Sequence, residues 1–488
     1  MSQKNETLPL ILALLITVGL IGGGLWLLRN RLPGGLTSNP TQTSPTQTNP
    51  TQTNPTQTGG TPLDQAALAA RQSLGDRILV PQGATVNQQA QAQKQAGVEA
   101  IAAKNYPQAV AALQAALQAK QNDPETLIYL KNARIGDRTA DLIAIAVPID
   151  SDVDGALEML RGVAQAQNEI NQIGGIAGVP LKVMIVNDGG SVDLARQVAT
   201  ALVKDQAVLG VVGHYASDAS LAAGEIYNQG GLVMISPVST SVKLSGLGRY
   251  TFRTVPSDFV AAGALANYML KQFQQQKAAV YFNSQSGYSQ SLKSEFSRAL
   301  SLGGGQVISE FDLSSPGFSA ADSFKQATQQ GATVLALMPN SGQLDRALQV
   351  VQVNQQQLKM LAGDDVYSPK TLAVGGAAAQ GMIVAVPWHI LANPQAPFVS
   401  SSRALWKADV NWRTAMAYDA AESLIAALKR APTRQGVQQA LADPNFTAEG
   451  ATGTVRFLQS GDRNQAVQLV EIKPGSRSGY NYDFVPVQ

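Results

Sequence analysis

Two short loops carry the side chains best suited to hold a ligand. In the stretch 208–242, VLGVVGHYASDASLAAGEIYNQGGLVMISPVSTSV, one apolar run ends in HYAS and a second ends in SPVSTS. Between them, residues 217–229 have helical spacing, with Ser217 where an N-cap belongs. Strand, helix, strand is a βαβ unit, and ligands of such sheets sit beyond the carboxyl ends of the strands. Both hydroxyl-bearing loops therefore reach one edge, and one of them opens a helix N-terminus. Backbone N–H groups, hydroxyls and the positive end of a helix dipole together suit a carboxylate. An ordinary βαβ unit with solvated turns would read the same way.

Other constellations do worse. His214 stands close to Ser217 and Asp218, but neighbours on one loop entering a helix cannot line up as nucleophile, base and orienting acid. Asp150, Asp152 and Asp154 in PIDSDVDGA imitate the start of a calcium loop, yet the twelfth position is Arg161, where a bidentate glutamate is required. The glycines of GGIAGVP precede a strand and open no helix, so they make no phosphate loop. With no cysteine and only His214 and His389, thiolate and multi-histidine metal sites are excluded, as is a cysteine-linked lipid. Trp388-His389 closes an apolar run and reads as hinge or pocket wall. No enzyme, no cofactor and no metal is expected.

The elements that position these loops begin near residue 140. Apolar runs recur at DLIAIAVPI, LKVMIVN, AVLGVVG, GLVMISP, AAVYFN, QVISEF, TVLALMP, LKMLAG and GMIVAVP, with amphipathic stretches such as 155–172 and 194–205 between most of them. The alternation predicts an α/β architecture with parallel sheets. About 350 residues exceed one comfortable core, so two lobes are expected, with a ligand cleft between them. RTVPSD at 253–258 reads as a crossing from one lobe to the other. The expected boundaries are 139–256 with 390–448 for the first lobe, and 257–389 with 449–488 for the second.

Upstream the chain changes character three times. Residues 8–28 carry no charge and are long enough to span a bilayer, and Arg29 and Arg31 follow where a cleavage site would stand. An uncleaved membrane anchor over 1–28 is expected. Residues 29–64 contain four pentads of the form NPTQT or SPTQT, which hold a chain extended and solvated over as much as roughly 110 Å. From 87 to 136 the spacing is helical, and Gly97, Tyr106, Ala109, Leu113, Ala116 and Pro124 resemble one tetratricopeptide repeat with a closing helix. One repeat is too few to stand alone, so it is a packing appendage, a docking site or an alanine-rich spacer. The net charge of +2 and 14% charged residues give no nucleic-acid footprint, and 44% hydrophobic residues suffice for large cores.

The ordered series IAIAVPI, NEINQIGGIAGVPLKVMIVND, VVGHYASDAS, GGLVMISPVSTSVKL, YTFRTVPSD and AMAYDAAESLIAAL resembles the leucine/isoleucine/valine-binding branch of the type I periplasmic binding proteins, over roughly residues 139–488. The resemblance implies a bilobed receptor that closes on a free amino acid and delivers it to an ABC permease. The anchor would then sit in the cytoplasmic membrane, with the head on its periplasmic side. A sensor built on the same module is the alternative. It further implies that Ser217 and Thr240 bond the ligand carboxylate, with backbone groups from Val238 and Ser239. Tyr288 would reach in from the second lobe, and Asp364, rather than Asp365, would take the ammonium. The family's first loop has a Pro-x-Ser-Gly run and an aromatic, where this chain has three aspartates; Asn340 and Ser341 stand where another tyrosine is usual. These departures favour a polar or basic amino acid over leucine, unless the aspartates face water and cap the following helix.

Overall fold

The computed structural model describes residues 63–81, 87–274 and 276–487. The expected anchor and nearly all of the pentad linker lie outside them. Among the described residues no helix is long and apolar enough to cross a membrane.

The chain opens with α1 (Gln65–Ala69) and β1 (Gln72–Ser73), followed by α2 (Gln88–Ala102), α3 (Tyr106–Ala119) and α4 (Pro124–Ile135). Helices α2 and α3 approach closely at Gly97, where an added Cβ would lie 2.5 Å from Leu113. Helix α4 is held to the first lobe by Asn132, whose amide donates to Val183 O at 2.7 Å and Leu74 O at 3.0 Å while its oxygen accepts from Gln167 at 2.8 Å. The three helices share one hydrophobic core with that lobe.

The first lobe is built on a sheet of order β1-β3-β2-β4-β5-β6. Its strands are β2 (Asp141–Val147), β3 (Leu181–Asn187), β4 (Val208–Val212), β5 (Met234–Ser236) and β6 (Thr251–Arg253), interleaved with α5 (Val153–Gln172), α6 (Val192–Lys204) and α7 (Ser217–Gly230). Helices cover both faces, so the strands read as unbroken apolar runs instead of alternating ones; from Leu142 to Val147 every residue of β2 is buried. Burying Ile143 and Ile145 contributes ~1.5–3 kcal/mol each. All pairs are parallel except β1 with β3.

After β6 the chain crosses at 254–257 into a second lobe. It comprises α8 (Asp258–Gln272), β7 (Lys277–Phe282), α9 (Gly287–Leu302), β8 (Gln306–Asp312), α10 (Ala320–Gln329), β9 (Val334–Met338), α11 (Leu344–Asn354), β10 (Lys359–Ala362) and β11 (Ile383–Val386). It then returns through α12 (Pro397–Trp406), α13 (Trp412–Arg430) and α14 (Arg434–Leu441), and finishes with β12 (Ala448–Gly450), β13 (Gly453–Val455), β14 (Gln468–Pro474) and β15 (Tyr482–Pro486). The second sheet has the order β15-β14-β11-β10-β9-β7-β8, with β14 and β15 antiparallel at one edge. Both sheets are therefore mixed.

One expected boundary moves. Residues 449–463 belong to the first lobe, not the second: the β12–β13 hairpin is followed by Phe457, stacked edge-on against Phe252 at 5.2 Å. Asp462 pairs with Arg253 at 2.6 Å, and Arg463 pairs with buried Asp419 on α13. The return to the second sheet comes only at 464–467, because these buried ion pairs hold the segment on the far side.

Candidate functional site

A cavity of about 360 Å³ lies between the lobes, at the carboxyl ends of both sets of strands. From the first lobe come Ser217, Val238, Tyr215 and Asp152; from the second come Tyr288, Asn340, Ser341, Asp364 and Asp365. Four of the six residues singled out from the sequence therefore share one wall system: Ser217, Val238, Tyr288 and Asp364.

Ser217 differs in detail from its expected role. Helix α7 begins at Ser217 itself, with Ala216 as N-cap, and no side chain caps it. Its first N–H groups thus lack an internal partner, and the Ser217 hydroxyl accepts only a long bond from Ser241 N–H at 3.4 Å. An uncapped helix end with a hydroxyl beside it is a ready anion site.

Ser239 and Thr240 stand behind the wall. Ser239 is no donor to the cleft, because its N–H bonds Ser236 Oγ at 3.1 Å and its hydroxyl is shared with Ser220 Oγ at 2.6 Å and Tyr215 O at 3.0 Å. A backbone contribution from Ser239 would therefore draw on an N–H already engaged with Ser236. Thr240 Oγ1 is buried without a hydrogen-bond partner. It lies near enough to the buried Asp258 carboxyl to oppose, together with Ser291, the rise to about 6 that burial causes.

The acidic pair faces them. Tyr288, second residue of α9, donates to Asp364 Oδ1 at 2.5 Å. Burial, then the neighbouring Asp365, push the Asp364 carboxyl up to about 7. Asp365 has its own cation: Arg413 Nη2 donates to it at 2.7 Å, and Ser341 N–H at 3.0 Å. Arg413 also donates to the Tyr215 hydroxyl at 3.0 Å and to Tyr367 O at 3.3 Å, and lies over the Trp412 ring at 4.3 Å. Tyr215, Arg413 and Asp365 form a partition with a second cavity of about 410 Å³ beyond it.

Several of these bonds join the lobes: Arg413 to Asp365, Asp218 Oδ2 to Gly287 N–H at 2.8 Å, Ser291 Oγ to Val242 N–H at 3.0 Å, and Tyr215 to Ser341 at 3.4 Å. The structure is a closed one.

The three first-loop aspartates have separate fates. Asp150 pairs with Arg71 at 2.7 Å and accepts from Asn187 at 2.7 Å, off the cavity wall. Asp152 caps α5 through Gly155 N–H at 2.8 Å and still lines both cavities, whereas Asp154 lines only the second. His214 turns into the core, bonded to Asp188 at 2.5 Å and Tyr227 at 3.1 Å. Arg413 went unnoticed in the sequence. Its one signal is a cation at the second position of a helix, where the dipole disfavours positive charge.

Residues 143–478 match the family described as periplasmic binding protein. The chain belongs to that family. Periplasmic binding proteins are solute receptors and not enzymes. Among curated relatives, this periplasmic binding protein is 26% identical to the Leu/Ile/Val-binding protein homolog 3 of Brucella melitensis, across 68% of this chain and 91% of the relative. Its fold is similar to an ABC transporter substrate-binding protein of Desulfitobacterium hafniense in complex with Leu (TM-score 0.59, 24% identity, 70% of this chain and 99% of the other). It is likewise similar to the branched-chain amino acid transporter substrate binding protein of Streptococcus pneumoniae in complex with isoleucine (TM-score 0.62, 20% identity, 72% and 100%).

Proposed function

We propose that this periplasmic binding protein is a membrane-anchored receptor that captures a free amino acid between its lobes for an ABC-type importer. The observation that carries the reading is the opposite polarity of the two cleft walls: an uncapped helix N-terminus with Ser217 on the first lobe, and Asp364 with Tyr288 on the second. Those walls are complementary to the carboxylate and ammonium of an amino acid. Thr240, behind the first-lobe wall on the neighbouring loop and beside the buried Asp258 carboxyl, is the second hydroxyl proposed for the ligand carboxylate. The curated relative's name supports the amino-acid class, and the family supports a place outside the cytoplasm. The uncharged run at 8–28 supports tethering to the cytoplasmic membrane, with the pentads as spacer.

The side-chain end favours a polar or basic amino acid. Asp152, Asn340, Ser341 and the Arg413–Asp365 pair surround it, and an aliphatic group there would desolvate charge without a compensating bond. A thermal-shift screen of the twenty amino acids tests the reading, followed by calorimetry on each hit. Failure of every amino acid to raise the Tm would refute it, and stabilisation by leucine, isoleucine and valine alone would refute its polar half. Uptake of the labelled hit should fall in a deletion strain, and protease added to spheroplasts should remove the head.

A further inference from the structure

A cavity of about 670 Å³ lies at the hinge and shares no residue with the interlobe cleft. Its wall includes Trp388, just past β11 where the chain leaves the second sheet, and Gln465 and Gln468, where it comes back. Phe398 packs between two other aromatic rings, 5.8 Å from Trp388 and 4.8 Å from Tyr418, centroid to centroid. Glu169 and Glu449 add carboxylates, and among the described residues no lysine, arginine or histidine lines the space. The Tyr418 hydroxyl donates to one oxygen of Glu169 at 2.6 Å and Gln165 to the other at 3.0 Å, so the charge is held in place by neutral donors. Gln468 Oε1, buried on the same wall, has no hydrogen-bond partner. Just along α13, Glu422 is pushed up to about 8, chiefly by burial and then by Glu169. Glu422 is thus largely neutral near pH 7, and the charge facing the cavity is that of Glu169 and Glu449, with no cation among the described residues of the wall.

We propose that this hinge cavity binds a small organic cation, an ammonium-bearing molecule held by the aromatic rings and by Glu169 and Glu449, and that its occupancy biases lobe opening. Aromatic faces and carboxylates around one space are the combination that recognises alkylammonium groups. The wall is built from two of the three crossing segments, so its shape changes when the lobes rotate. A ligand that fits one shape better shifts the equilibrium by its difference in affinity.

Choline serves as the probe, in calorimetry on the whole protein. Saturable binding is expected, weakened at least about tenfold by Glu169→Gln and by Trp388→Leu, and unchanged by Asp364→Asn in the cleft. Small-angle scattering should show a radius of gyration that moves on adding choline. Absence of choline binding would overturn the site, as would binding that survives both hinge variants or is lost with Asp364→Asn, since the latter places the cation in the cleft. Binding without a change in scattering would overturn the coupling to opening. Amino-acid binding by the hinge variants serves as the check that they are folded.

Discussion

Replacing Asp364 with Asn should uncouple stability from binding. The carboxyl is buried beside Asp365 and Tyr288, and burial with the Asp365 charge raises it to about 7, some three units above an ordinary aspartate. For an acid raised in this way the folded state holds a proton that the unfolded chain has released, so stability falls as pH rises from about 4 through 7. At pH 8 the ionised side chain costs the ligand-free protein on the order of 2–4 kcal/mol. Asn keeps an oxygen to accept from Tyr288 and carries no charge, so Asp364→Asn should raise the Tm at pH 8 and leave it nearly unchanged at pH 5. Binding should move the other way. Only the carboxylate is a counter-charge for an ammonium, and a charge-assisted bond is worth ~1.5–3 kcal/mol, so affinity should fall roughly 10- to 100-fold. In the unsubstituted protein, affinity should weaken about tenfold per unit as pH drops below 7, and binding at pH 6 should release a proton to the buffer. Differential scanning fluorimetry across pH, with calorimetry in buffers of different ionisation enthalpy, reads all of this. A variant that is less stable at pH 8, or binds as tightly as the parent, would refute the assignment of Asp364 as ammonium partner.

Ser217→Ala should weaken amino-acid binding about tenfold or more with little change in Tm, because the hydroxyl makes only one long bond within the protein; equal affinity by calorimetry would count against the carboxylate site. Arg413→Met removes the cation from a buried pair and should cost about 3–5 kcal/mol in chemical denaturation, with Asp365→Asn in the same chain restoring most of it. Gly155→Ala would set a methyl 2.7 Å from the Tyr215 ring and 2.9 Å from Asp152 Oδ2. It should destabilise by about 1–3 kcal/mol and loosen the cleft partition, read as a lower Tm and a weaker Kd.

The nine apolar runs read from the sequence are all strands: most are covered on both faces and therefore apolar throughout, a local property of composition, while the partly exposed edge strand β8 is apolar enough to be read as well. The hydroxyls at their carboxyl ends were equally legible, because chain direction alone sends them to one edge of a parallel sheet. What the sequence could not convey is which of those groups are already occupied. Ser239 has the right type and place, yet its donors are taken by Ser236, Ser220 and Tyr215, across two loops. Asp150 is neutralised by Arg71, a residue outside the α/β region expected to form the site. Arg413 sits 48 positions from Asp365, and nothing near it in sequence announces that it closes the cleft. Strands 468–474 and 482–486 were missed because both are only partly buried, the second of them at the sheet edge, and a half-exposed strand has only a weak period. Local sequence determined element type and direction, which depend on side-chain burial along one segment. Pairing, occupancy and the final crossing between lobes depend on charges and hydrogen bonds brought together over long separations, and only the tertiary structure decided them.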